Sequence, residues 1–243
     1  MSESNKRNFI VHGSILAIAG ILVRIIGMLY RIPVVNIIGS EGNGIYGAAF
    51  NIYNIMLVLS SYGLPMAVSK LVSARFTKKR YKSAAKVLRC SLMVAVCTGG
   101  IAALLVFFGA SFIENVIYGG GLPGLAVPLR ILAPTIFLVA ILGVIRGFFQ
   151  GQSTMIPTAV SQILEQIVNA IVSIAAGYGM MKAFASLPDV AAYGAAGSTL
   201  GTAMGALTAV LFMGFLYAVY TPTFNRLKRK DRHTAVSYTH LTL

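Results

Sequence analysis

The sequence predicts an all-α integral membrane protein, a bundle of six transmembrane helices. Three observations lead there. Hydrophobic residues fill 57% of the 243 positions and charged residues only 11%, under half the roughly 25% of an ordinary soluble domain. The apolar residues gather into six runs, each near or above the ~20 residues that cross a bilayer. The excess of 20 Lys+Arg over 6 Asp+Glu falls almost entirely in one set of connections. This composition excludes a soluble globular domain and a disordered or fibrous chain.

The first predicted helix covers 12–36 and contains Arg24 and Arg31. Its length, its central arginine and the lack of a small-residue cleavage site distinguish it from a signal peptide. The second covers 44–71, almost all of it inside the charge-free stretch from Gly42 to Ser69. The third covers 89–112, and Cys90 to Ile113 is charge-free. The fourth covers 126–149, with Arg130 and Arg146 inside it. The fifth covers 156–181 and holds Glu165, the one acid well inside a span. The sixth covers 192–220, inside a charge-free stretch from Val190 to Asn225.

The connections set the orientation. Lys6 and Arg7 precede the first helix, seven basic residues lie between Arg75 and Arg89, and five between Arg226 and Arg232. The opposite connections, 37–43, 113–125 and 182–191, hold only Lys182 among basic residues, with Glu41, Glu114 and Asp189. Lys and Arg accumulate on the cytoplasmic side. The expected layout is therefore a cytoplasmic N-terminus at 1–11, a six-helix lobe over 12–222 and a basic cytoplasmic segment at 223–234, in a plasma membrane. The 75–89 loop also suits contact with anionic lipid headgroups. In this setting the charge does not point to nucleic acid.

Several chemistries lack their residues. Cys90 and Cys97 are two helical turns apart, about 10 Å and too far for a disulfide, so they read as small packing residues. No Cys/His cluster with metal-ligand spacing and no phosphate loop occurs. His12, His233 and His240 lie near the two ends. A membrane enzyme acting on polyprenyl phosphates would need clustered acids for a metal, and the chain has six acids in all. No enzyme activity and no cofactor are expected, although a coupling ion remains open.

Ionisable and amide side chains at membrane depth are costly and face a cavity or a partner. Arg24 and Arg31, seven apart, share one face of the first helix. They read as cavity residues, with snorkelling to headgroups as the alternative, better suited to Arg31. Asn51 and Asn54 share a face of the second helix and read equally as cavity lining or interhelical glue. In the fifth helix Gln162, Glu165, Gln166 and Asn169 form a polar stripe on an otherwise apolar rod, so the stripe should look inward. Glu165 could line a cavity or pair with Arg146 or Arg24. Arg146 could snorkel or take part in function. Gly197, Gly201 and Gly205 make a doubled GxxxG, which lets helices approach closely. The inward charges sum to positive, which favours an anionic phosphate or diphosphate over a cationic drug.

The stretches GILVRIIGMLYRIPVVNIIGSEGNGIYGAAFNIYNIMLVLSSYGLPMAVSKLVS and IRGFFQGQSTMIPTAVSQILEQ carry a resemblance. Over about 8–222 the chain resembles the polysaccharide-biosynthesis branch of the multidrug/oligosaccharidyl-lipid/polysaccharide (MOP) exporters, within the stage V sporulation protein B group related to lipid II flippases. The resemblance implies a MATE-like transporter of about fourteen helices in two lobes around a V-shaped cavity. It implies flipping of an undecaprenyl-diphosphate-linked sugar or peptidoglycan precursor by alternating access. It places Arg24 and Arg31 against the diphosphate. A single lobe would be the N-terminal one, needing its C-terminal lobe as partner, and the tail at 235–243 looks non-native. Competing readings are a cation-coupled multidrug exporter of the same superfamily and a non-transporting scaffold of cell-wall synthesis.

Overall fold

The structure is a computed structural model that describes the backbone of residues 3–231 and the side chains of residues 14–231. The expected non-native tail, His233 and His240 lie outside the described residues, and so does the His12 side chain. The helices are α1 (Glu3–Ser60), α2 (Leu64–Thr77), α3 (Tyr81–Phe112), α4 (Ala126–Gln150), α5 (Ile156–Ala183) and α6 (Val190–Lys230). A π-helical turn at Ile113–Ile117 extends α3.

α1 is two arms rather than one rod. Its backbone leaves helical geometry at Gly39, with φ 70° and ψ −175°. Positive φ of this kind is costly for a side chain and free for glycine. The chain reverses there: the Arg31 guanidinium stacks 4.2 Å over the Tyr46 ring, whereas fifteen residues of straight helix would hold them about 22 Å apart. The expected 37–43 loop is thus compressed into a one-residue break.

The second expected span, 44–71, is also divided differently. Helix runs through Ser60, turns at 61–63, and restarts as α2 with proline in its first turn. Proline lacks an N–H and disfavours helical geometry in the residue before it, so Pro65 tolerates a new helix start but not a helix interior. The expected 72–88 connection is mostly helical and shrinks to the turn at 78–80.

Five helical stretches are long and apolar enough to cross a membrane, the first being Ser14–Thr77 with 64 residues. Its reversal at Gly39 makes two crossings of it, hence six membrane-length arms among the described residues. Exposed Leu105 and Phe108 on α3, and Leu211 and Phe215 on α6, give the outside of the bundle an apolar coat. Helices satisfy their own backbone groups, as a bilayer interior requires.

Glycine seams hold the arms together. A Cβ on Gly197, Gly201 or Gly205 of α6 would collide with the α5 backbone at Ala176, Asn169 and Glu165 respectively. The order of these partners shows that α5 and α6 run antiparallel with backbones nearly touching. A second seam joins α4 to α2, where Gly147 and Gly151 lie under the carbonyls of Pro65 and Ser69. Its spacing, Gly143, Gly147, Gly151, is another doubled GxxxG, visible in the sequence but not picked out there.

At one end, Phe76 stacks on Phe224 with centroids 6.0 Å apart. The buried Asp231 carboxylate accepts the Lys82 backbone N–H at 2.8 Å. These contacts bring the 75–89 and 226–230 basic segments to the same end of the bundle. At the other, Glu114 accepts backbone N–H groups from Gly124 at 3.0 Å and Ala126 at 2.7 Å, capping α4. The cysteines differ from expectation: both are free and exposed on α3 rather than packed inside.

Candidate functional site

The polar side chains singled out in the sequence lie on four arms: the two halves of α1, α4 and α5. Gln166 Nε2 approaches Gly27, lying 3.3 Å from where a Cβ on that glycine would stand. Asn169 Nδ2 donates to the Tyr30 hydroxyl at 3.3 Å. Both pairs have the same sequence offset, so the first arm of α1 runs parallel to α5 in fixed register. That register puts Arg24 level with Ile163, between Gln162 and Glu165, and Arg31 about two turns further along.

Glu165 pairs with Arg146. The carboxylate takes the Arg146 Nη2 at 2.8 Å, and Arg146 Nε donates to Ser161 Oγ at 2.9 Å. The two side chains are only 14% and 27% exposed. Of the two partners open to Glu165, the structure selects Arg146, which therefore points into the bundle rather than snorkelling. Tyr53 of the second α1 arm lies within electrostatic reach of the same carboxylate.

Arg24 is exposed and has no hydrogen bond or ion pair among the described residues. Arg31 is half-buried. Its Nη2 donates to Asn43 Oδ1 at 2.9 Å and its guanidinium covers the Tyr46 ring. Both partners are neutral, so Arg31 keeps its full charge. Asn43 and Tyr46 belong to the site and were not singled out as its members by sequence reasoning. The sole hint was their position just after the chain reversal.

Asn51 and Asn54 lie on the second arm, exposed and unpaired among the described residues. Gln162 and Gln166 are half-buried. Asn169 differs from the rest of its stripe. It is buried, its Oδ1 lies 2.9 Å from Ser173 Oγ and 3.4 Å from Thr202 Oγ1, and it binds Tyr30 on the other side. It ties α1, α5 and α6 together and does not open onto a cavity.

The arrangement can hold an anion. Glu165 is neutralised internally by Arg146, and the two guanidiniums on one face of α1 have no acidic partner among the described residues. Among the described residues no group of three or more His, Cys, Asp or Glu is placed to hold a metal ion.

A family model described as polysaccharide biosynthesis protein matches residues 10–240. The chain belongs to the polysaccharide biosynthesis protein family. Relatives in Bacillus subtilis (strain 168) include "Lipid II flippase MurJ", 34% identical over 70% of this chain and 32% of its own length. They also include "Stage V sporulation protein B", 31% identical over 86% of this chain and 39% of its own. This member of the polysaccharide biosynthesis protein family thus spans a third to two fifths of these relatives' length. Its fold is that of the MOP superfamily. A MOP superfamily transporter from Pyrococcus furiosus superposes with a TM-score of 0.68 at 16% identity, over 93% of this chain and 46% of that one. A multidrug-resistance MATE family transporter in its outward-facing conformation gives 0.66 at 16% identity, over 91% and 48%. Coverage near half fits one lobe of that two-lobed fold.

Proposed function

We propose that the chain is the N-terminal lobe of a plasma-membrane transporter that flips a lipid-linked, diphosphate-bearing saccharide or peptidoglycan precursor by alternating access. The observation that carries this reading is the charge left over on the first arm of α1. Glu165 is cancelled by Arg146, and Arg24 and Arg31 keep theirs. A guanidinium binds phosphate oxygens through charge-assisted, often bidentate hydrogen bonds. It does so most strongly where water is scarce.

In this reading Arg24, free of an internal partner, meets the diphosphate directly. Arg31 is already held by Asn43 and Tyr46, so it is oriented before substrate arrives and little rotamer freedom is lost on binding. Asn51, Asn54, Gln162 and Gln166 supply neutral hydrogen bonds to the sugar. Arg146 and Glu165 position α4 against α5. The N-terminus, the basic 75–89 segment and the basic 226–230 segment face the cytosol, as the shared end of the two basic segments favours. The protein does no bond-making chemistry. Alternating access requires a second lobe moving against this one, so the C-terminal lobe is its partner.

The kinship with MurJ and stage V sporulation protein B supports this substrate class over drugs. In the full-length protein, Arg24→Ala and Arg31→Ala should each abolish export of lipid-linked precursor at normal expression, while Arg24→Lys keeps part of it. Normal export in both alanine variants would refute the assignment. Drug efflux without lipid flipping in reconstituted vesicles would favour a multidrug exporter, and neither activity a scaffold.

A further inference from the structure

Arg24 and Arg31 share a face of α1 but not a place on it. Seven residues of helix separate their Cα atoms by about 10 Å along the axis, and their heads lie further apart than that. Arg31 Nη2 donates to Asn43 Oδ1 at 2.9 Å. Asn43 stands four residues past the reversal at Gly39, so it meets the first arm nearer the reversal than Arg31 does. The Arg31 head is thereby drawn away from Arg24. The Arg24 side chain leaves its helix tilted toward the N-terminus, away from Arg31. No partner among the described residues draws it back.

The interval between them is neutral. Residues 25–30, IIGMLY, carry no charge. Gly27, midway, bares the helix backbone, and the Gln166 amide lies over it, with Nε2 3.3 Å from where a Cβ would stand. Gly20, one turn from Arg24 toward the N-terminus, has nothing within 4 Å of its own would-be Cβ. The face is thus a thinly covered helix surface with a guanidinium at two heights.

A guanidinium carries several N–H donors in a fork that fits a phosphate bidentately. Arg31 uses one donor on Asn43 and Arg24 uses none, so each can hold an anion by itself. A diphosphate joins its two phosphorus atoms through a single oxygen. Between heads more than about 10 Å apart, so short a group grips one closely at a time. We propose, on the diphosphate reading of this face, that Arg24 and Arg31 are two successive stations rather than one clamp. Arg24 takes the diphosphate near the middle of the arm, and Arg31 takes it next, nearer the reversal.

The probe is labelled inorganic pyrophosphate, measured by equilibrium dialysis against the full-length protein in detergent. At about 0.1 M salt the Debye length is about 10 Å, so two bound anions interfere little. Arg24→Ala and Arg31→Ala should each remove one bound pyrophosphate per protein and leave the affinity for the rest unchanged. The double variant should remove two. A clamp gives another pattern: the same single pyrophosphate is lost in all three variants, or it binds about ten-fold more weakly or worse in each, the effect of losing a charge-assisted hydrogen bond. Either result would overturn the two stations and leave the diphosphate reading standing. Unchanged binding in all three variants would overturn both. Should Arg31→Ala fail to fold, Arg31→Gln takes its place, since its amide keeps a donor for Asn43.

Discussion

Gly201 of α6 is the tightest point of the α5–α6 seam, and its replacement by alanine has a calculable effect. The new Cβ would overlap Ser173 Oγ and stand 2.6 Å from both the Asn169 carbonyl oxygen and the Ser173 nitrogen. Comfortable contact needs about 3.5 Å, so the helices must separate by about 1 Å. Over-packing on that scale costs about 1–3 kcal/mol. The displaced Ser173 hydroxyl also loses the Ser198 carbonyl, now 2.8 Å away, worth about 1 kcal/mol net. The total is about 2–4 kcal/mol, which for a chain this long lowers the thermal midpoint by on the order of 10 °C. Gly214 lies on the same helix with nothing within 4 Å of its would-be Cβ. Gly214→Ala should leave the midpoint unchanged or raise it slightly, since alanine is the better helix former by about 1 kcal/mol. Thermal unfolding of both variants in detergent, followed by far-ultraviolet circular dichroism, makes the comparison. If Gly201→Ala is tolerated as well as Gly214→Ala, the backbone contact between α5 and α6 is not what holds them.

Gly39→Ala should destabilise by about 1–3 kcal/mol through backbone conformation alone, because nothing lies within 4 Å of a Cβ at that position. The same melts check it. Glu165→Gln strips Arg146 of its counter-charge in a poorly hydrated place and should cost about 1–3 kcal/mol. Arg146→Met combined with Glu165→Leu should cost less than the two single changes summed, because no charge is left unpaired. A double-mutant cycle on the melting midpoints measures it. Ser198→Ala removes a buried hydroxyl oxygen with no hydrogen-bond partner among the described residues. It should leave the midpoint equal or raise it by up to the equivalent of about 1 kcal/mol, and a clear drop would reveal a partner.

The membrane class and the charged face of α1 were legible because both rest on local rules. Apolar run length reports bilayer crossing, and a seven-residue spacing puts Arg24 beside Arg31 whatever surrounds them. The pairing of Glu165 was narrowed to two arginines and no further, since choosing between them depends on how α4 crosses α5. Asn169 sits in perfect stripe register with Glu165, yet it is buried by Tyr30 and Thr202, which come from helices far away in sequence. The break at Gly39 was hidden for a different reason. Residues 37–43 are rich in glycine and polar groups, as a loop would be, and composition does not show that one dihedral is enough to turn the chain. The Gly143–Gly147–Gly151 seam was as readable as the one on α6, because both obey the same four-residue spacing.

The α5–α6 seam has a mechanical consequence. Where side chains interlock, helices slide by changing rotamers. Glycine has none to change, and here backbone rests on backbone at Gly197, Gly201 and Gly205. The two helices therefore behave as a laminated rib, and a force that tilts one tilts both. Asn169 is bolted to that rib and clasps Tyr30, so the first arm of α1 is carried with it. Across the break at Gly39, the Arg31–Asn43 bond and the Arg31–Tyr46 stack fasten the start of the second arm to the same rib.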